Sequence, residues 1–431
     1  MKTYEEYKSS EIEWIGEIPT DWDVKKIKWM TSIKRGASPR PIDDPKYFDE
    51  DGEYAWVRIA DVSNAGMYLE QTTQKMSELG ASLSVKREPG DIFVSIAGTV
   101  GKPCITNIKC CIHDGFVYFP DYKGDKKYFY YIFESGAPYK GLGKMGTQLN
   151  LNTETIGSIK IPDIPSNLQT KIGLFIDGKV HEIDTLLDLK QKQIEKLEQQ
   201  RQSIITEAVT KGLNPNVKMK DSGVEWVNEI PEHWTQKKIK YLVDRVNRNV
   251  RDEDEVITAF RDGQVTLRKN RREDGFTFSI KEFGYQGIRK GDLVVHQMDA
   301  FAGAIGVSDS DGKASPVYTV CIPKNKKEIH VPFLCEVIRV MSNSGYIESL
   351  AKGIRERSTD FRWKDMGELI SLVPPISEQI EIENTISRKS QEIKMLIQLI
   401  KKNIEKLKEY RQSLIYEAVT GKIDVREMEI D

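Results

Sequence analysis

The sequence predicts an α+β protein: two globular α/β domains separated by two long helices that pair as an intramolecular coiled coil. Three observations carry that prediction. The chain has 431 residues, which is room for about two to four domains of ordinary size. Two blocks of sequence each return once at nearly the same interval, and a heptad seam returns with one of them.

The first block, residues 13–30 (EWIGEIPTDWDVKKIKWM), recurs 212 residues later at 225–242 (EWVNEIPEHWTQKKIKYL), with ten of eighteen positions identical. The second, 194–210 (IEKLEQQRQSIITEAVT), recurs 210 residues later at 404–420 (IEKLKEYRQSLIYEAVT), with twelve of seventeen identical. Such a period is far too long for a solenoid and reads as duplication of a whole domain with its connecting element.

The second block lies in a long helical segment. Steps of three and four from Val180 reach Ile183, Leu187, Lys190, Ile194, Leu197, Arg201, Ile204 and Ala208, apolar at seven of nine positions. Adding 210 gives Ser390, Ile393, Ile397, Ile400, Ile404, Leu407, Arg411, Leu414 and Ala418, again seven of nine. A seam held for about four heptads predicts a coiled coil. The nearest partner of each helix is the other, because an intramolecular pair avoids the entropy of association. Residues 180–208 alone would span ~43 Å at about 1.5 Å per residue. Arg201 and Arg411 fit register-setting positions, since a polar seam residue mainly fixes pairing. Ser166 to Gln169 can form a capping box, and Gly212 and Gly421 stand where a left-handed helix cap is wanted.

The stretches between the blocks, roughly 31–160 and 243–374, hardly resemble each other. Strand-like runs at 54–59, 91–96, 292–296 and 317–322, separated by Gly, Pro, Asn and Asp turns, predict an α+β domain in each. They share landmarks: Gly90-Asp91 with Gly291-Asp292, and Gly98 and Gly101 with Gly303 and Gly306. A common frame with different contents suits two recognition domains with different targets. The expected layout is a domain over 1–165, a helix over 166–212, a second domain over 213–374, and a helix with a tail over 375–431.

Composition narrows the function. The net charge of −2 argues against a protein coated in positive charge but leaves local patches open. Five cysteines without C-x-x-C spacing and five scattered histidines disfavour a disulfide scaffold or a zinc site. With no apolar leader and no run of 18 apolar residues, a reduced, cytoplasmic protein without membrane contact is expected. The 98–103 loop lacks the Gly and Ser/Thr of a phosphate loop. Residues 141–146 match G-x-G-x-x-G letter for letter, but no strand precedes them and no helix follows. Pro374-Pro375 lacks the flanking residues of an amino-methyltransferase motif, so no catalytic, cofactor or metal residue is assigned.

Nucleic-acid contacts are better supported. Arg245, Arg248, Arg251, Arg261, Arg268, Lys269, Arg271 and Arg272 fall within 28 residues that hold five acids. The planar fork of arginine pairs bidentately with guanine or phosphate. A second cluster, Arg355, Arg357 and Arg362 with Ser358, has its counterpart 210 residues earlier at Lys144, Gln148, Asn150 and Asn152, whose amides suit adenine edges. Lys34, Arg35, Arg40 and Arg58 supply the basic positions of the first variable stretch. Solvated loops would show the same residue types.

The arrangement resembles the specificity subunit of a type I DNA restriction-modification enzyme. The resemblance rests on the Trp14 to Trp22 opening and its return at Trp226 to Trp234, the endings RQSIITEAVTKG and RQSLIYEAVTGK, and the Pro-x-x-x-Gln helix entries at Pro165 and Pro375. It implies two target recognition domains, each binding one half of a bipartite, asymmetric double-stranded DNA target. It implies antiparallel spacer helices, with Ile194, Leu197, Arg201, Ile204, Ile404, Leu407, Arg411 and Leu414 among their contact residues, and a pseudo-twofold repeat. It also implies two modification (methyltransferase) subunits and two restriction (translocase/nuclease) subunits as partners. S-adenosylmethionine, ATP and Mg would sit on those partners and no cofactor on this chain, which would be non-catalytic. The rivals are a structural coiled-coil oligomerisation protein and a self-sufficient nuclease or methyltransferase.

Overall fold

The computed structural model describes residues 2–140, 142, 151–271, 284–350 and 361–428. The chain divides into two compact units, residues 1–191 with 401–431, and residues 192–400. It is mixed α/β, with long helices at Ser166–Lys211 and Ile376–Val419. Their 46 and 44 residues exceed the seam read from sequence and amount to roughly 65–70 Å of helix each. Buried side chains recur at steps of three, four or seven, as at Ile172, Ile176, Val180 and Ile183, and at Ile382, Ile386, Ile393, Ile397 and Ile400. That is the stripe a long helix needs to be held by its neighbours.

Among its described residues, the first unit holds a five-stranded sheet in the order 34–35, 116–118, 92–95, 103–106, 68–69, and a four-stranded sheet in the order 74–76, 54–57, 110–112, 85–87. Fully buried, mainly apolar runs at Ile92–Ser95 and Cys110–Ile112 explain why these strands lie in sheet interiors. The helix Lys126–Glu134 (KKYFYYIFE) is capped by Asp125 and buries six consecutive residues, Tyr128 to Phe133, at the centre of the core. The second unit builds a four-stranded sheet in the order 243–246, 318–323, 293–296, 305–307, covered by the helix Val331–Asn343. The strand-like runs at 54–59, 91–96, 292–296 and 317–322 are strands at Tyr54–Val57, Ile92–Ser95, Leu293–His296 and Tyr318–Pro323.

The recurring blocks have a packing explanation. In the first unit the indole of Trp14 donates to Lys160 O at 3.1 Å, and in the second Trp226 donates to Ile370 O at 3.2 Å. Each bond ties the opening block to an antiparallel strand pair, 23–26 with 160–163 and 235–238 with 370–373. Each block also seats a helix end. Gly421 (φ +72°) sits over Pro19 and Trp22, and Gly212 (φ +76°) over Pro231 and Trp234. A left-handed glycine is required there because the chain turns back against a buried indole. The two sequence blocks are therefore socket and plug, and within each unit they mate.

The helix entry departs from the sequence expectation. Ser166 is the first helical residue and Gln169 closes no capping box. The buried Gln169 amide instead donates to Ile164 O at 2.9 Å and accepts from Asp125 N at 2.8 Å. Gln379 repeats this in the second unit, donating to Pro374 O at 2.8 Å and accepting from His330 N at 2.8 Å. The Pro-x-x-x-Gln spacing thus ties the helix start to the loop that leads into the domain's buried helix.

Candidate nucleic-acid interface

Four segments of the first unit, 38–50, 56–58, 72–75 and 113–114, line a cleft of about 1300 Å³. That exceeds an ordinary small-molecule pocket. Arg40 and Arg58 stand in its wall. Arg40 pairs with Asp114 at 2.9 Å, with its own side chain 71% exposed, so the pair competes weakly with an incoming ligand. Arg58 opens the short helix Ile59–Asn64, where its N–H bonds the Asp61 carboxylate, and its guanidinium donates to Gln74. Burial against Trp56 and Phe116 pushes the His113 imidazole below its usual range, with Asp114 opposing. His113 Nδ1 accepts from Gly115 N. The cleft thus offers guanidinium donors, carboxylate acceptors and one amide, the groups that read base edges.

Lys34 and Arg35 are exposed on the edge strand beside 116–118, where Arg35 donates to Asp114 O. Asn152 caps the helix Thr153–Ser158 through Thr155 N at 2.8 Å, so its carbonyl is already engaged. Its counterpart Arg362 is the N-cap of Trp363–Met366. Lys144, Gln148, Asn150, Arg272, Arg355, Arg357 and Ser358 lie outside the described residues.

In the second unit the arginine cluster divides. Arg248 makes two bonds to Asp292, whose side chain is only 5% exposed, so this arginine neutralises a buried carboxylate. Arg289, which no sequence signal singled out, does the same for Asp254 at 3.0 Å. Arg261 pairs with Asp299 at 2.8 Å but is two-thirds exposed. Arg271 bonds both oxygens of Asp262 and lies over the Phe260 ring. Arg245 projects exposed from strand Val243–Val246 with no ion-pair partner among the described residues. Arg245 and Arg261 are accessible, as are Arg251 and Lys269, which pair with Asp311 and Glu255 while 52% and 59% exposed.

On the long helices, Ile194 and Leu414 are buried, while Leu197, Ile204, Ile404 and Leu407 are half-buried. Arg411 pairs with Asp184 at 3.0 Å and Glu134 at 3.5 Å. The Nε of Arg201 is buried without an acceptor. The cysteines are all buried as thiols, and among the described residues no group of three or more His, Cys, Asp or Glu is placed to hold a metal ion. No helix among them is long and apolar enough to cross a membrane.

Residues 19–199 match a sequence family described as the type I restriction modification DNA specificity domain. Over those residues the chain is similar to a type I specificity domain. Two specificity subunits of Methanocaldococcus jannaschii type I restriction enzymes are similar to it. The MjaVIII subunit is 27% identical over 230 residues, 48% of this chain and 49% of that protein. The MjaIX subunit is 27% identical over 191 residues, 43% of each. The match thus spans about half the length of these curated relatives. The fold of the whole chain is similar to that of two solved structures at 12% identity. One is a chain from a study of complex assembly and conformational transition in a type I R-M system, with TM-score 0.68, covering 94% of this chain and 99% of that one. The other is the HsdS subunit of Thermoanaerobacter tengcongensis, with TM-score 0.51, covering 94% and 98%. The likeness of fold thus extends over nearly the whole chain, well beyond the residues that match the sequence family.

Proposed function

We propose that this chain is the DNA sequence-recognition subunit of a type I restriction-modification complex. The carrying observation is the specificity-domain match over 19–199. The socket-and-plug contacts of that unit, repeated in the second, support a duplicated frame with one target recognition domain in each half. Each domain binds one half of a bipartite DNA target in the cytoplasm. The first uses the cleft walled by Arg40 and Arg58 together with Lys34, Arg35 and the 144–152 segment. The second uses Arg245, Arg261 and the 355–362 segment. The two long helices pair antiparallel as a coiled coil that fixes the distance between half-sites, and they dock two modification subunits, with two restriction subunits joining the complex. Methyl transfer and ATP hydrolysis belong to those partners, and this chain is non-catalytic. The test is expression with its co-purifying partners in a methylation-free host, followed by methylome sequencing. A two-part methylated motif is expected. A protein that dimerises alone and leaves the DNA unmodified would point to an oligomerisation role instead.

A further inference from the structure

The opening block ends in KKIKWM in the first unit and KKIKYL in the second; Ile27 and Ile239 are buried in the cores, and the aromatic residue two positions on is not. Trp29 is 63% exposed and Tyr241 61%, at equivalent positions, each with a lysine ammonium over its ring, Lys26 at 5.5 Å and Lys240 at 5.3 Å. Each ledge lies against a short helix. Ile27 N bonds Ile159 O, and Ile239 N bonds Leu369 O. Gly157 and Gly367 make matching approaches, each placing an added Cβ 3.3 Å from the Cβ of Lys28 or Lys240. The next residue then differs. It is Glu368 in the second unit, where the carboxylate bonds both Lys238 and Lys240 and is pulled down to about 2 by them. In the first unit it is Ser158, which is exposed, and Lys26 and Lys28 have no ion-pair partner among the described residues. Asn152 caps the far end of that same helix, ~9 Å away at about 1.5 Å per residue.

We propose that Lys26 and Lys28, beside Trp29, form a phosphate-binding ledge that grips the DNA backbone next to Asn152, and that Glu368 masks the equivalent ledge of the second unit. This rests on the DNA-recognition reading above. The chemistry favours a phosphate backbone over a protein because the ammonium groups of exposed Lys28 and half-buried Lys26, without an ion-pair partner among the described residues, stand on the same side of the unit as Asn152, as backbone-positioning contacts stand beside base readers. The two half-sites are then held unequally, with the first domain supplying more of the salt-sensitive grip.

The test uses the full chain and a fluorescein-labelled 40-base-pair duplex of mixed sequence, with affinity read by anisotropy across a potassium chloride series. K26Q/K28Q should flatten the slope of log affinity against log salt by about 1.8, two phosphates at about 0.9 each. Between 50 and 200 mM salt the unaltered chain should then lose roughly ten-fold more affinity than the variant. Glu368→Ser should do the reverse, tightening binding and steepening the slope by about 0.9 or more. Because that carboxylate is exposed, this second variant tests the idea even if the lysine variant folds poorly. Unchanged slopes in folded variants overturn the ledge while leaving DNA recognition standing. So does loss of a co-purifying protein with the slope intact, which would make the ledge a protein contact. Failure of the unaltered chain to bind any duplex overturns both readings.

Discussion

Trp22 and Trp234 occupy the same socket position in the two units, and the structure makes them energetically unequal. Both are buried, at 1% and 0% exposure. Both lie under a left-handed glycine at a helix end. Trp234 Nε1 donates to Glu378 Oε1 at 3.1 Å, whereas Trp22 Nε1 is buried without an acceptor. The sequence explains the difference, because the position 210 residues before Glu378 is Leu168. Trp→Phe at either site loses similar ring packing. At Trp234 it also removes a bond to a carboxylate, which contributes about 1.5–3 kcal/mol in general. The lower end applies here because the Glu378 side chain is 25% exposed and keeps His233 at 2.9 Å. At Trp22 the same change relieves an unsatisfied buried donor, offsetting about 1 kcal/mol of the packing loss. Trp234→Phe should therefore cost about 2 kcal/mol more than Trp22→Phe, ~4–8 °C in midpoint for a unit of this size. Calorimetry of the two full-length variants measures it. Equal losses, or a larger loss at Trp22, would refute the assignment of the Glu378 bond as the difference between the sockets.

Three further outcomes follow from the same geometry. Gly421→Ala should destabilise more than Gly212→Ala by about 1 kcal/mol or more in urea unfolding, since its Cβ would stand 2.6 Å from Pro19 Cδ and 2.9 Å from Trp22, against 3.1 Å from the movable Glu378 carboxylate. Arg411→Met should cost about 1–3 kcal/mol by leaving the half-buried Glu134 unpaired, whereas Arg201→Met should cost less because its Nε has no acceptor to lose; paired urea titrations separate the two. His113 and His296 are both held below the usual histidine range, chiefly by burial. The unfolded chain then binds more protons, so stability is full above about pH 6.5 and falls as pH drops through the window below it. H113Q/H296Q should flatten the midpoint change between pH 7 and 5, and a slope identical to that of the unaltered chain would contradict the assignment.

The long helices and the domain interiors were legible because each is written locally. The apolar steps from Val180 to Ala208 and the mainly apolar strand Ile92–Ser95 need no distant information. The repeated blocks announced themselves, but their reason did not. That Trp22 seats Gly421, nearly the length of the chain away, is a tertiary fact. The same limit governs the candidate site. Counting arginines could not separate Arg248, consumed by buried Asp292, from Arg261, left two-thirds exposed, since the distinction lies in carboxylates over thirty residues distant. The cleft draws Arg40, Arg58, Gln74 and Asp114 from four segments with no shared spacing. Gln169 misled in the opposite way: a pattern that fits a local cap is used for a contact 44 residues away with Asp125.

The central claim is that each half of the chain reads its own half of a DNA target. Its most direct test exchanges residues 31–160 for the corresponding segment of a relative with a different target, leaving both recurring blocks and both long helices in place. Methylome sequencing of cells carrying the chimera and its partner subunits should then show one half of the methylated motif replaced, with the other half and the spacing retained. A motif unchanged, or changed in both halves at once, would contradict the account.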